Sequence, residues 1–439
     1  MIRLDSPFLI AWLFRATAWT LVTWLLGWRS VLVLAVLALV THAAALVVHQ
    51  RRAHPSQTAV IVGSVVVVHV ALFLSVLRPG VWPVAMPAGL GVFMCHAVSY
   101  LVDVRRGTID PRRHMAALLY LLQLPVFPAG PLSRFHDFAH QLARTDVSMA
   151  GFSYGVRRIS QGLTKVYLVA GPLGSVADRI FALPVTRLSM DSAWLGAVCV
   201  ALEVYFYLSG FSDVGIGLGK MIGLRYQENF RRPYTADSIR EFWRRWNVTL
   251  ITWLRDYVSL PIAGHERGSR RLFGLTICGF VLVGLWTEAS WRVLPWAMYC
   301  AVWLALEAAG LGAMLARVPR PLRHVYVLLV VLLGWVLLRA SGPGPLLGYL
   351  EAMAGASIAP FGASADYFTL GFSTALGCAL IFAGPLVGNL SRWRVSVDSA
   401  VASLLMMFAA TGILLWHAVN GVRRLYDLAA GTKARRPRQ

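Results

Sequence analysis

Acidic residues are scarce in this chain, and charge of either sign is thin. Asp and Glu number 20 against 41 Lys and Arg, and charged residues make up 14% of the 439. A soluble domain carries about 25%. With 57% hydrophobic residues and a mean hydropathy of +0.63, polar surface is too sparse for a water-soluble body. Lipid must be the solvent for much of the chain. The five cysteines (Cys95, Cys199, Cys278, Cys300 and Cys378) stand singly in apolar stretches. No two have metal-ligand or redox spacing, so they read as small hydrophobes. There is no HExxH motif, and no metal site is expected. A G-x-S-x-G elbow is also absent. The glycines Gly215, Gly217, Gly219 and Gly223 follow no strand, and Lys220 is not followed by Ser or Thr, which excludes a phosphate loop. The net charge of +21 would suggest nucleic acid in a soluble chain. No nucleic-acid module is visible, however, and the arginines concentrate in short loops, where anionic lipid headgroups meet them.

What is present is a series of apolar runs. A span needs roughly 17–25 such residues. Runs of this kind occur at Phe8–Gly27, Val31–Val48, Thr58–Leu77, Val81–Val102, Trp194–Phe211, Trp291–Ala309, Phe368–Gly388 and Val397–Val419. Shorter or more polar ones occur at Met115–Ala129, Val156–Leu173, Leu272–Trp286 and Val325–Leu338. The expected fold is all-α and polytopic, with about eleven crossings. Residues 1–430 are expected to form one transmembrane domain, and 431–439 a basic, disordered cytoplasmic tail. The N-terminal run lacks an A-x-A-like cleavage site and is expected to be a first span. Arg51 and Arg52, then Arg105, Arg106, Arg112 and Arg113, occupy alternate loops. The positive-inside rule places these loops and the tail in the cytoplasm.

The middle of the chain differs. Residues 225–271 hold ten arginines against five acidic residues, a local net charge of +5. Within this stretch, SIREFWRRWNVTLITWLRDYVSL (238–260) places Trp243, Trp246, Leu250, Trp253, Leu254 and Tyr257 at three- and four-residue spacing. That spacing predicts one helix with an apolar aromatic face, capped by Asp237 or Ser238. It suits a helix anchored at the bilayer surface, or one dipping into a polar cavity. Glu203 sits well inside an apolar run and Asp213 at its end, and ionisable groups at such positions point to function or to neutralisation by an arginine. Both are candidate substrate-contacting residues. LPVFPAGPLSRF (124–135) and GLWTEASW (284–291) interrupt apolar runs, and each fits a re-entrant, cavity-lining role.

These residues carry a resemblance. FYLSGFSDVGIGLGKMIGLRYQENFRRPYTADSIREFWRRWNVTLITWLRDYVSLPI (206–262) resembles the signature region of the membrane-bound O-acyltransferase family. FPAGPLSRFHDFAHQL (127–142), GVRRISQGLTKVYLV (155–169), GLWTEASW and LGWVLLRA (333–340) extend the match. The likeness is to the bacterial alginate O-acetyltransferase branch, with teichoic acid D-alanyl-transfer proteins as cousins. It implies a helical disc with re-entrant helices around a central tunnel, in a bacterial inner membrane. It further implies a thioester donor (acyl-CoA or acyl carrier protein) and no tightly bound cofactor. The acceptor would be a hydroxyl on a glycan or small product, and a periplasmic partner is compatible.

In residues, the resemblance implies that Trp243, Arg244, Arg245, Trp246 and Trp286 line the substrate path and that Arg255 and Asp256 hold the helix. Asn247, Thr287 and Glu288 would sit at the reaction centre. The bacterial branch typically carries histidine at the positions of Asn247 and Thr287. Asparagine can still orient a substrate or support an oxyanion, but threonine cannot serve as a general base. Three readings follow: an acyltransferase with a displaced base at Glu288 or Glu203, a non-catalytic subunit or conduit, or transfer to a nucleophile that needs no base. Glu288 could equally pair with Arg292 one helical turn on.

Overall fold

The computed structural model describes residues 28–76, 90–123, 126, 130–143, 147–259, 277–281, 293–340, 342–357, 359–360 and 362–383. The expected spans Phe8–Gly27, Val397–Val419 and most of Leu272–Trp286 lie outside these residues. So do the motif GLWTEASW, with Trp286, Thr287 and Glu288, and the basic tail. Among the described residues the secondary structure is helical throughout.

Apolar runs become long helices because a helix satisfies every backbone group within itself, as lipid demands. Among the described residues, five helical stretches are long and apolar enough to cross a membrane: Val31–Gln50, Pro55–Leu72, Met190–Met221, Val293–Leu315 and Arg320–Arg339. In chain order the helices begin with α1 (Trp28–Gln50), α2 (Pro55–Val76) and α3 (Leu90–Arg106). Short α4 (His114–Leu121) and α5 (Phe135–Ala143) follow. The run Met115–Ala129 was expected to span; α4 covers only about 12 Å at 1.5 Å per residue, and a non-helical turn ends it. Next comes a continuous rod, α6 (Met149–Thr164), a π-turn (Lys165–Ala170) and α7 (Gly171–Phe181).

The rod packs antiparallel along α8 (Met190–Met221). Glycines let the two backbones touch. A Cβ at Gly217 would lie 2.7 Å from the Gly155 carbonyl oxygen, and one at Gly210 2.7 Å from that of Gly162. Both pairs are seven residues apart, so each glycine faces its counterpart two turns along. Serines cap these elements: the side chains of Ser148 and Ser189 accept from the backbone N–H of Gly151 and Ser192 at 3.1 and 3.4 Å.

Two cores result. One surrounds α8 and takes in the polar tract; the other joins α1, α3, α4 and α5 to the C-terminal end of α8. The outward faces of α1 and α2 stay apolar, with Leu32, Val36, Leu39, Val60 and Val67 more than half exposed, as lipid contact requires. Arg105 Nη2 reaches the Pro55 carbonyl at 3.5 Å, so the arginine-bearing loops after α1 and α3 share one end of the molecule.

The polar tract is two helices, not one. Helix α9 (Ile239–Arg245) and helix α10 (Val248–Leu254), which continues as a π-turn Arg255–Ser259, meet at Trp246 and Asn247. Asn247 adopts φ 43°, ψ 55°, the left-handed conformation that asparagine tolerates better than most residues. The aromatic periodicity runs through this joint unbroken, which is why the spacing predicts a single helix. Ser238 is the cap, accepting from the Glu241 N–H at 3.1 Å.

A second cap comes from afar. Helix α11 (Val293–Leu306) passes through a π-turn (Glu307–Leu311) into α12 (Gly312–Leu315). The buried carboxylate of Glu307 accepts from the backbone N–H groups of Ile239 at 2.6 Å and Arg240 at 3.0 Å. Helix α13 (Arg320–Arg339) adds the Tyr326 hydroxyl at 3.3 Å. Helices α14 (Pro343–Met353) and α15 (Leu370–Ala383) complete the described chain. Charge-assisted bonds contribute about 1.5–3 kcal/mol each. Glu307→Ala is therefore expected to cost about 2–4 kcal/mol and Glu307→Gln less. Thermal unfolding in detergent measures it, and an unchanged midpoint for Glu307→Ala would refute the cap.

Candidate acyl-transfer site

The strap between α8 and α9 carries the tract into the bundle. Asn229, buried at 1% exposure, accepts through Oδ1 from the Thr249 N–H and hydroxyl at 3.2 and 2.8 Å. Its carbonyl takes the Val248 N–H at 2.8 Å. The start of α10 is thus held by the strap. Thr249 Oγ1 in turn accepts from the Leu132 N–H at 2.9 Å, tying α10 to the segment before α5. The Tyr234 hydroxyl donates to the Ala201 carbonyl at 2.6 Å, and the Ala236 carbonyl meets His324 Nδ1 at 2.8 Å.

The tryptophans of the tract face inward. Trp243 and Trp246 are 7% and 2% exposed and pack among Phe230, Phe242, Phe280, Trp296 and Trp335. Edge-to-face and offset pairs like these add about 0.5–1.5 kcal/mol each. Here they hold the tract as part of the core, a placement that excludes the surface anchor.

The arginines separate by role. Arg245 is spent on Glu241 and Thr235, both at 2.6 Å. Arg244 projects outward, with its side chain 76% exposed. Arg255 bonds Asp256 at 2.8 Å, but the two are neighbours in sequence and that bond secures no second element. Arg134 does this instead: it pairs with Asp256 and so ties α10 to the segment before α5. Asn247 is 4% exposed, at the joint between α9 and α10.

Asp213 and Glu203 do not join the tract. Asp213 accepts from Arg158 at 2.6 and 3.0 Å and from Lys165 at 2.6 Å, so a salt-bridge cluster fills its oxygens. Glu203 lies against Gly174, where an added Cβ would sit 2.5 Å from Oε1, and its Oε2 has no partner among the described residues. Among the described residues, the arginine charge that acts on it is Arg339, outside the tract.

The open space lies on the far side of α10. A cavity of about 500 Å³ is walled by Ser133, Arg134, His136, His140, Arg225, Thr252 and Trp253, among others. A neighbouring cavity of about 620 Å³ shares Arg134, His136 and Asp137 and adds Arg106, Arg255, Asp256 and Tyr257. Burial pushes the Tyr257 phenol up, and its bond to Asp103 at 2.7 Å adds to the shift, so it stays a donor. Gln141 clamps the rim, accepting from the Arg225 N–H at 2.7 Å and donating to the Arg225 carbonyl at 3.2 Å. These cavities open at the end that carries the loops after α1 and α3; the first sets Arg134 and Arg225 against Asp137, and the second balances three arginines with three aspartates. Such a site suits a phosphate-bearing ligand. The sequence pointed to this wall through LPVFPAGPLSRF. It gave no role to His136 and His140, whose HxxxH spacing the expectation of no metal site passed over. Among the described residues they belong to no group of three His, Cys, Asp or Glu able to hold an ion.

Residues 20–317 match the family model of MBOAT, the membrane-bound O-acyltransferase family. The chain belongs to this family. It is 37% identical over 261 residues to the probable alginate O-acetylase AlgI of Azotobacter vinelandii, covering 59% of this chain and 52% of that protein. It is 28% identical over 245 residues to the peptidoglycan O-acetyltransferase of Helicobacter pylori, covering 54% and 46%. Against the teichoic acid D-alanyltransferase of Bacillus subtilis it is 25% identical over 226 residues, covering 49% and 57%. The chain spans about half the length of the curated relatives it matches. The matched region of this MBOAT protein contains the glycine-packed rod, the two-part tract and both cavities.

Proposed function

We propose that this MBOAT protein is a membrane-embedded acyltransferase that moves an acyl group from a thioester donor, acyl-CoA or a carrier protein, to a hydroxyl of a glycan or small product. The observation that carries this reading is the basic cavity of about 500 Å³ built on α10 of the family tract. Arg134 and Arg225 suit the donor's phosphates, while Thr249, Thr252 and Trp253 form the inner wall. By the positive-inside rule that end faces the cytoplasm of a bacterial inner membrane, where thioesters are made. Reporter fusions at Arg52 and Gln439 are expected on one side, and opposite sides would sink the topology. A periplasmic partner that presents the acceptor is compatible with this orientation.

Asn247, Thr287 and Glu288 are proposed for the reaction centre. Transfer breaks the acyl carbon–sulfur bond, forms a carbon–oxygen bond, and passes the hydroxyl proton to the departing thiolate. One observation favours a second reading, a non-catalytic subunit or conduit: Thr287 stands where the resemblance places a histidine, and threonine takes no proton near neutral pH. Comparison of wild type with Asn247→Ala and Glu288→Gln separates the cases. Loss of turnover in Glu288→Gln with folding intact keeps Glu288 in the reaction centre; unchanged turnover removes it from the mechanism.

A further inference from the structure

His96, in the middle of α3, is 0% exposed, and neither ring nitrogen has a hydrogen-bond partner among the described residues. Gln123, at 2% exposure, has its Nε2 in the same condition. The buried histidines nearby are satisfied. His42 engages Tyr100 and His114, and His69 engages Thr41 and the Val65 carbonyl. A neutral imidazole carries one N–H and one bare nitrogen, and an amide nitrogen carries two N–H groups. Buried groups of this kind almost always find partners, so an unpaired cluster calls for a function.

The cluster backs onto the basic cavity. The Tyr120 ring lies 4.9 Å from that of His96, and its hydroxyl donates to the Ser133 carbonyl at 3.0 Å. The Ser133 hydroxyl donates to Gln123 Oε1 at 2.7 Å. Ser133 lines the cavity. Trp253 also lines it and donates its indole N–H at 3.0 Å to the carbonyl of Cys95, the residue before His96. Tyr120 and Trp253 are thus the side chains that bridge the unpaired groups to the cavity wall.

We propose that His96 is a catalytic residue of the acyl transfer, an assignment that rests on the function proposed above. The acceptor hydroxyl reaches it when the Trp253 indole releases the Cys95 carbonyl. The bare nitrogen of His96 takes the hydroxyl proton as the acyl carbon–oxygen bond forms and the carbon–sulfur bond breaks. His96 then delivers that proton to the departing thiolate, and Gln123 Nε2 donates to the acceptor oxygen. The alternative is a cluster that only holds buried water.

The test uses the full chain in detergent, with acetyl-CoA or an acetylated carrier protein as donor, and His96→Leu, an apolar replacement of similar size. Replacing an unpaired polar side chain by an apolar one is neutral or stabilising, so the unfolding midpoint should hold or rise. Turnover with a hydroxyl acceptor should fall about 10²–10⁴-fold, the usual worth of a general base, with the donor KM unchanged. The loss should shrink for hydroxylamine, a nucleophile that needs no base, and in His96→Ala, which vacates the ring's space, added imidazole should restore part of it. A midpoint that falls together with turnover would make His96 structural and overturn the proposal. So would unchanged turnover, which would leave only a water site. Absence of wild-type turnover with every donor would overturn the acyl-transfer reading itself, and this assignment with it.

Discussion

Asp213→Ala should lower stability by about 3 kcal/mol or somewhat more, the low end of the cost of breaking a buried ion pair from one side. Asp213 is 5% exposed and is the shared acceptor for Arg158 and Lys165, both on the rod that packs against α8. Its removal leaves two cations of the rod without their shared carboxylate, at an interface whose glycines allow no retreat. The side chains of Arg158 and Lys165 are 20% and 31% exposed, and Arg158 keeps Glu228 at 2.6 Å, so solvent and this second carboxylate soften the loss. Asp213→Asn preserves shape and removes charge, and is expected to fall between. Thermal unfolding in detergent reads the effect, and a midpoint within a degree or two of wild type for Asp213→Ala would contradict it. Sequence reasoning set Asp213 among the substrate contacts; its geometry makes it a clamp.

The second large effect concerns the donor. Arg134→Ala is expected to raise the donor KM about 10- to 100-fold with kcat nearly unchanged. A charge-assisted hydrogen bond to phosphate is worth about 1.5–3 kcal/mol, and a contact made equally in ground and transition states appears in KM alone. The effect should shrink at high salt, because the cavity is open and its charges are screened. Asp256→Asn is the informative companion. Arg134 is tied to Asp256, so weakening that tie frees the guanidinium and should leave the donor KM unchanged or lower it. An unchanged KM in Arg134→Ala would remove this cavity as the donor site.

Much of the fold was legible in the sequence, because lipid as solvent writes its demand directly into apolar run length. The helices α1, α2, α8 and α13 follow that signal. The rod α6–α7 was harder to read, since Arg158 and Lys165 interrupt its apolar character and only Asp213 on another helix explains them. The break at Asn247 was not legible: periodicity continues through it, and what fixes the left-handed turn is a set of bonds from Asn229, distant in sequence. Glu307 closes an apolar run and gave no local sign that its carboxylate caps a helix 68 positions earlier. The sequence singled out the tract's tryptophans and arginines as unusual. Their division into core, clamp and surface came only with packing, and the basic wall belonged to residues the sequence marked merely as a proline-broken stretch.

The most direct test of the central claim is acceptor-dependent release of free thiol by the purified wild-type protein. The protein is incubated with acetyl-CoA, or with an acetylated carrier protein, with and without a polysaccharide hydroxyl acceptor, and both thiol and acylated product are quantified. The account predicts equimolar thiol and ester, dependent on the acceptor, with a donor KM raised further than in Arg134→Ala when both Arg134 and Arg225 are replaced. Failure to release thiol or form ester with any donor, in a protein whose unfolding midpoint shows it intact, would contradict it.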